Sequence, residues 1–479
     1  MGYLYGASIQ GIQGFIFETN KLQEIVGASE IVKSIEDDFT EETKEFSVKI
    51  LMNAAGNIKA IFEKEEECQA LVLVFEKMVE QKAYGIAISQ AVVKIEGNSE
   101  SQADINKLEQ RLKIQRNKPS IALDLSLNIM ELNSKTAKPL ISKKEDRGTD
   151  QKRKAYEYFL EKNHQLKEFT QLSKLSNGKN KIAVIHADGN GLGMLIPKLR
   201  EKGMELSAFS KQLDLATTEA FNRAKSNNIS IRDVILGGDD MVVICNANDA
   251  LRFTKDFLYH FEEQTKEKIG HKLTACAGIA YANEKYPFHY AVSLAEELCD
   301  TTKKHAKKIN EDLAPSSLMF HNIQSSNFQS WDKFVEDELM IVTDKRYYEK
   351  DEEKEKVQPL DKKPIRCDFG PYYLDEKNQA TIEGFMNTLE SYRCDGSPIS
   401  RLRAWMGELY KSEKYASIML ERINEMAEQS SDWRSCIMQK NLNMLDIELS
   451  NERLIIEKDG KPKTPIYDVL QILSSTEVA

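Results

Sequence analysis

One order of apolar patterns occurs twice along this chain, and it limits the fold more than any other feature. In the first copy Tyr3 to Ile9 reads as a strand, and the spacing of Leu22, Ile25, Val26, Ile31, Val32 and Ile35 predicts a helix from Thr19 to about Asp37. Val48 to Phe62 reads as a hairpin folded around Asn53-Ala-Ala-Gly-Asn57. Cys68, Leu71, Val72, Phe75 and Val79 mark a second helix, and Tyr84 to Ile95 a closing strand. The second copy runs from a strand at Ile182 to Ala187, through a helix at Phe209 to Lys225, to a hairpin. A helix near Ala250 to Lys266 and a strand from Leu273 to Tyr281 complete it. Strand, helix, hairpin, helix, strand is the ferredoxin-like plan, here duplicated within one chain. The expected class is α+β.

The two copies differ at the hairpin tip. In the second, Gly237-Gly-Asp-Asp240 lies between the apolar runs Val234 to Leu236 and Met241 to Ile244, so two carboxylates stand at a tight connection whose glycines supply the φ freedom. The first copy has Ala54-Ala-Gly-Asn57 there and no carboxylate, which predicts a cleft with its chemistry on one side. Adjacent aspartates repel unless solvent or a cation compensates them. Upstream, Lys181-Ile-Ala-Val-Ile-His-Ala-Asp-Gly-Asn-Gly-Leu-Gly193 is an apolar strand that runs into Asp188 and a glycine-rich turn, whose N–H groups favour anions. With this strand beside the hairpin, Asp188, Asp239 and Asp240 meet at one sheet end. Three convergent carboxylates suit a hard divalent cation, Mg²⁺ or Mn²⁺.

These motifs resemble those of the GGDEF/palm nucleotide cyclases and polymerases, and more closely the large palm-domain subunit of type III CRISPR effector complexes. Ile9-Gln-Gly-Ile-Gln-Gly-Phe-Ile-Phe17 and Lys21-Leu-Gln-Glu-Ile-Val-Gly-Ala-Ser29 are similar to that family's first palm. Asp188-Gly-Asn-Gly191, Gly237-Gly-Asp-Asp240, Ala275-Cys-Ala-Gly-Ile-Ala280 and Ala295-Glu-Glu-Leu298 are similar to its second. The resemblance implies a nucleotidyltransferase that makes cyclic oligoadenylate messengers from ATP in antiviral defence. It implies Asp188, Asp239 and Asp240 as catalytic and metal-holding residues. Gly189, Asn190, Gly191, Leu192, Gly237 and Gly238 would lie along the nucleotide, with Lys303 on its phosphate. In that chemistry a 3′-hydroxyl attacks the α-phosphate, pyrophosphate leaves in line, and two divalent ions about 4 Å apart assist. The implied partners are ATP and either CRISPR RNA with effector-complex subunits or a self-associated form. Two other readings stay open on the residues: a scaffold subunit whose palm only binds nucleotide, and a cyclic dinucleotide synthase using another base.

Two departures from the family pattern shape the expectation. No histidine is followed by aspartate and the first palm begins at residue 3, so HD-type nuclease activity is not expected. No cysteine lies between Cys68 and Cys245, where relatives often carry a zinc insertion, so no zinc is expected.

At 479 residues the chain has room for several domains: a degenerate palm at 1–115, a connector at 116–180, the GGDD palm at 181–345, a charged loop at 346–366 and a C-terminal helical domain at 367–479. Ser397-Pro-Ile-Ser400 reads as an N-cap for a helix carrying Leu402, Trp405, Met406 and Leu409, with further helices near Ala416 to Ala427 and Ser435 to Leu445. A net charge of -10 argues against a surface built wholly for nucleic acid, and the connector's Lys143, Lys144, Arg147, Lys152, Arg153 and Lys154 read as a solvated face. The seven cysteines contain no CxxC pair, and no apolar run reaches membrane-spanning length, which together point to the cytoplasm.

Overall fold

β1 (Gly2–Gln10), an inner strand of the first sheet, is buried along nearly its whole length and pairs antiparallel with a strand on each side. The computed structural model describes residues 2–19, 21–54, 56–96, 101–118, 129–162, 172–193, 195–196, 206–225, 230–324, 330–341, 364–393, 396–429 and 454–477. After β1 come the short α1 (Ile12–Ile16), α2 (Leu22–Glu42), β2 (Val48–Ala54), β3 (Asn57–Phe62), α3 (Glu65–Lys82) and β4 (Ala87–Ile95). The sheet order is β2-β3-β1-β4, all antiparallel, which is the ferredoxin-like arrangement. Tyr5, Phe39, Phe62 and Phe75 form an aromatic cluster between the sheet and the two long helices. On the other face α4 (Gln102–Arg116) places Leu108 and Leu112 against Leu4, Ile61 and Val93. Its start is a capping box between Ser101 and Asp104.

The second palm repeats the plan. β5 (Lys181–Gly189), α6 (Leu206–Ala224), β6 (Ile231–Gly237), β7 (Asp240–Asn246), α7 (Ala250–Ile269) and β8 (Ala275–Asn283) follow a connector helix, α5 (Arg147–Lys162). The order β8-β5-β7-β6 matches the first sheet, and β9 (Ser317–Asn322) and β12 (Tyr372–Tyr373) extend the β8 edge to six strands. After β8 the chain forms one long helix, α8 (Phe288–Ile309). It lies against β8 so closely that a Cβ on Gly278 would stand 1.9 Å from the Ala295 carbonyl oxygen.

The palms are joined through α2. The β6 register slips between Asp233 and Ile235, leaving Val234 as a bulge, and the freed Val234 carbonyl accepts a hydrogen bond from Ser29 Oγ. Lys33 stands 3.8 Å from Asp233 beside it. The connector clamps α2 from outside: a Cβ on Gly27 would meet the Lys152 carbonyl oxygen at 1.7 Å. Lys152, expected as part of a solvated face, is 1% exposed and donates to Phe15 O and Glu18 Oε2, both at 2.7 Å. Burial lowers its pKa, with Glu18 opposing that effect.

The C-terminal part differs from the helical expectation. It contains α10 (Ile382–Tyr392), α11 (Ile399–Leu409), α12 (Glu413–Gln429) and α13 (Ile466–Ser475), with α9 (Trp331–Glu338) preceding them. It also holds a small sheet of order β10-β11-β14-β13, from Met340–Ile341, Ile365–Arg366, Lys461–Lys463 and Ile456–Lys458. Strands of two or three residues carry too little alternation to be read in sequence. The N-cap of α11 is Pro398, without a side-chain cap, and Ser397 Oγ is buried with no hydrogen-bond partner. The strand-like run Ile121 to Leu125, the expected helix at Ser435 to Leu445 and residues 346–363 of the charged loop expected at 346–366 lie outside the described residues, while the end of that loop forms β11. Among the described residues no helix is long and apolar enough to cross a membrane.

Gly278→Ala is expected to cost about 3 kcal/mol or to prevent folding, because its Cβ meets backbone that cannot yield. Gly407→Ala, with nothing within 4 Å, is expected to gain about 0.5–1 kcal/mol from helix propensity. Urea unfolding of both variants checks the contrast.

Candidate active site

The site is built where β5 ends beside the β6–β7 hairpin. Antiparallel register sets Asp188 of β5 directly opposite Asp240 of β7, which places the two carboxylates on one face with Cβ atoms about 5 Å apart. The hairpin closes with a two-residue turn, Gly238-Asp239, after the Gly237–Asp240 pair. Gly238 has φ 60°, a conformation that suits glycine at the first central position of a tight hairpin turn. Helix α6 holds the tip from below: Gly238 N–H donates to Asp214 Oδ1 at 3.2 Å, and Thr217 Oγ1 donates to the Gly238 carbonyl at 2.5 Å.

Gly189 brings the tip onto β5. Its N–H donates to the Asp239 carbonyl at 3.2 Å, and a Cβ there would stand 2.8 Å from Asp239 Cβ. The three expected carboxylates are therefore neighbours, and they are half-buried rather than freely solvated. Burial first, then the charges of Asp240 and Asp188, push the Asp239 carboxyl up to about 7. Asp240 is pushed up to about 6 by burial and by Asp188, with Lys303 opposing and Glu296 adding to the rise. Both shifts have the sign expected of like charges crowded together out of water.

Lys303 reaches the same point from α8. Its ammonium pairs with Asp188 and donates to the Gly189 carbonyl at 3.0 Å. Burial lowers the Lys303 pKa, but Asp188 outweighs that and the net shift is upward. Among the described residues no group of three or more His, Cys, Asp or Glu side chains is already arranged to hold a metal ion. The donor set is nonetheless all oxygen, and its raised carboxyl pKa values mark uncompensated negative charge, so it fits a hard cation in chemistry.

Asn190, expected along the nucleotide, commits its hydrogen-bond donors to the neighbouring chain. Its N–H donates to Thr274 O at 2.8 Å, and its side-chain amide to Thr274 Oγ1 at 3.1 Å and Ala314 O at 3.3 Å. It ties the end of β5 to the β8 side of the sheet. Gly191 follows at φ 74°, with none of the described residues within 4 Å of where its Cβ would stand, and Leu192 lies beside Gly189.

A cavity of about 870 Å³ opens between the two palms. Gly237, Gly238 and Asp240 line it from the second palm, as do Lys211, Asp214 and Glu296. Gln13, Ser29, Lys33, Glu36 and Asn53 line it from the first. Of the other expected residues, Asp188, Asp239, Gly189, Asn190, Gly191, Leu192 and Lys303 are not among the described residues that line it. The contributions of the first palm, and of Asp214 and Glu296, were not legible in the sequence. Only a helix face shared by Ser29, Lys33 and Glu36 at i, i+4 and i+7 could have suggested them.

Fold and site together define a double-palm protein whose second palm carries the carboxylates. Residues 181–311 match the family model for Cas10/Cmr2, second palm domain, so the second palm is a Cas10-like palm domain. The Csm1–Csm4 cassette in complex with cA4 is similar at 13% identity over 99% of this chain and 70% of that one, with a TM-score of 0.51. Csm1 in T. onnurineus aligns at 14% identity over 66% of this chain and 53% of that one, with a TM-score of 0.46. The Csm1–Csm4 cassette in complex with AMPPNP aligns at 14% identity over 64% of this chain, with a TM-score of 0.45. The chain spans about half, 53%, of the length of that last structure's chain. At such identities the likeness is one of fold. No curated protein matches the chain.

Asn190→Ala removes a buried amide with two acceptors and is expected to lower unfolding stability by about 1–2 kcal/mol in thermal or urea denaturation. An unchanged stability would assign Asn190 to ligand contact alone.

Proposed function

We propose that the chain is a nucleotidyltransferase that joins ATP into cyclic oligoadenylate at the junction of its palms, within a type III CRISPR-like antiviral system in the cytoplasm. The observation that carries this reading is the register that sets Asp188 opposite Asp240 with Asp239 at the adjoining turn, with Asp240 itself in the wall of an 870 Å³ inter-palm cavity. That volume lies within the usual range for small-molecule sites. Support for adenylates comes from relatives of similar fold solved in complex with cA4, cA3 and pppApApA.

In this reading Asp188, Asp239 and Asp240 would hold Mg²⁺ or Mn²⁺. A bound ion of this kind supplies charge neutralisation at the triphosphate and acidifies the attacking hydroxyl. The rest of the work falls to the protein. Gly237 and Gly238, on the approach to the hairpin tip, carry no side chain, so a phosphate chain can approach the backbone closely there. Lys211 lines the same wall and Lys303 is anchored on Asp188, so both can meet phosphate charge. The first palm, with Gln13, Ser29 and Asn53, offers hydrogen-bonding groups and no competing catalytic carboxylate at its own tip. The 3′-hydroxyl of one nucleotide attacks the α-phosphate of the next, forming the P–O bond as the bond to pyrophosphate breaks. Partner subunits and RNA, as in an effector complex, would set when the two palms close on substrate.

Asp239→Ala combined with Asp240→Ala is expected to abolish nucleotide joining while leaving the melting temperature equal or higher, since two crowded carboxyls are removed. Chromatography of products from ATP, beside a thermal melt, checks both parts. Undiminished product from the double variant contradicts the assignment.

A further inference from the structure

A second concave and strongly charged feature lies on the connector and shares no lining residue with the palm cavity. A pocket of about 320 Å³ opens between residues 131–153 and the start of α2. Lys21, Lys135, Lys143, Lys144 and Arg153 line it, against two carboxylates, Glu24 and Glu131. The chain as a whole carries a net charge of -10, so a cationic hollow runs against its overall composition.

The lobe that presents these cations is preorganised. Asp146, 1% exposed, accepts from Asn133 Nδ2 at 2.7 Å, Thr136 Oγ1 at 2.8 Å, Thr149 N–H at 3.0 Å and Thr149 Oγ1 at 2.8 Å. Isolated bridges between Leu132 and Pro139 and between Leu140 and Asp146 fold the segment back on itself. Lys135 and the pair Lys143–Lys144 sit on the bends that result.

The charges are not all matched. Glu24 is taken by Lys21 at 3.3 Å and Arg153 at 2.9 Å, and Arg153 also pairs with Glu145. Among the described residues Lys135, Lys143 and Lys144 pair with no carboxylate. The Lys135 ammonium is held below its ordinary pKa, first by burial and then by repulsion from Lys21. Lys21 is itself the N-cap of the 21-residue α2 and offers no side-chain cap, so the helix's amide charge adds to that of the lysines. Among the described residues no aromatic side chain lines the pocket, so none of them offers a base a ring to stack on.

We propose that this pocket is a binding site for clustered phosphate groups, either successive backbone phosphates of a single-stranded polynucleotide or a free polyphosphate chain. The lysines hold phosphate as point charges in a concave, rigid frame, without reading bases. The site is independent of the chemistry assigned to the palms.

The test uses the full chain and two probes, a fluorescein-labelled single-stranded RNA of mixed sequence and inorganic tripolyphosphate. RNA binding is read by anisotropy and tripolyphosphate binding by calorimetry, across a salt series. Wild type is expected to bind at least one probe. Lys135→Glu with Lys143→Glu and Lys144→Glu is expected to bind it at least tenfold more weakly, with an unchanged melting temperature. For RNA the loss of three contacts is expected to reduce the slope of log affinity against log salt by about 2. The corresponding triple arginine variant is expected to retain binding. So is Lys44→Glu with Lys154→Glu and Lys411→Glu, which reverses three exposed lysines elsewhere. RNA bound in preference to tripolyphosphate names a polynucleotide as the ligand, and the reverse names a polyphosphate. Absence of binding to either probe at low salt, or equal binding by wild type and the pocket reversal, overturns the proposal.

Discussion

Everything at the palm site depends on the pairing of β5 with the β6–β7 hairpin. Because side chains alternate along a strand, a slip of one residue in that register would turn Asp188 or Asp240 to the opposite face and dissolve the cluster. Several weak restraints hold the register together. Seven residue pairs run from Ile182–Asn246 to Asp188–Asp240, Gly189 lets the tip settle onto β5, and Asp214 with Thr217 grips the turn from α6. The cost of this geometry is visible in the carboxyls themselves. Asp239 and Asp240 bind protons more tightly than ordinary aspartates because burial and mutual repulsion penalise their charge. Lys303 compensates one of the three, which leaves the cluster short of positive charge and suited to a cation.

The same economy explains how two domains make one cavity. The bulge at Val234 turns a backbone carbonyl out of the sheet, and Ser29 of the first palm takes it. Helix α2 thereby lies along the second palm with Ser29, Lys33 and Glu36 facing the cavity, while its outer side is closed by α5 at Gly27. The connector is a structural clamp as well as a linker. Lys152, carried into the interior, fixes α5 to the turn at Phe15 and Glu18.

The duplicated plan was legible because strand and helix periods differ and each copy is long enough to display both. The GGDD tip and Asp188 were legible because glycine pairs and isolated acids interrupt apolar runs. What stayed hidden is what the fold brings together from afar. Nothing in the spacing separates Lys152, which is buried, from Lys143 and Lys144, which line a hollow. Asn190 looks in sequence like part of a phosphate turn, yet its amide is committed to Thr274 and Ala314, 84 and 124 residues away. The strands at 340–341 and 365–366 are too short to announce themselves, and a proline at the start of α11 took the place expected for a serine cap.

The central claim is that the carboxylate cluster and the inter-palm cavity together join nucleotides. Its most direct measurement is incubation of the purified chain with Mg²⁺ or Mn²⁺ and each of the four nucleoside triphosphates, alone and with RNA and partner subunits, with products identified by mass spectrometry. The account predicts cyclic oligonucleotides with release of pyrophosphate, and ATP as the substrate. Absence of any joined product from all four nucleotides under both conditions, in protein that is folded and binds nucleotide, would contradict it.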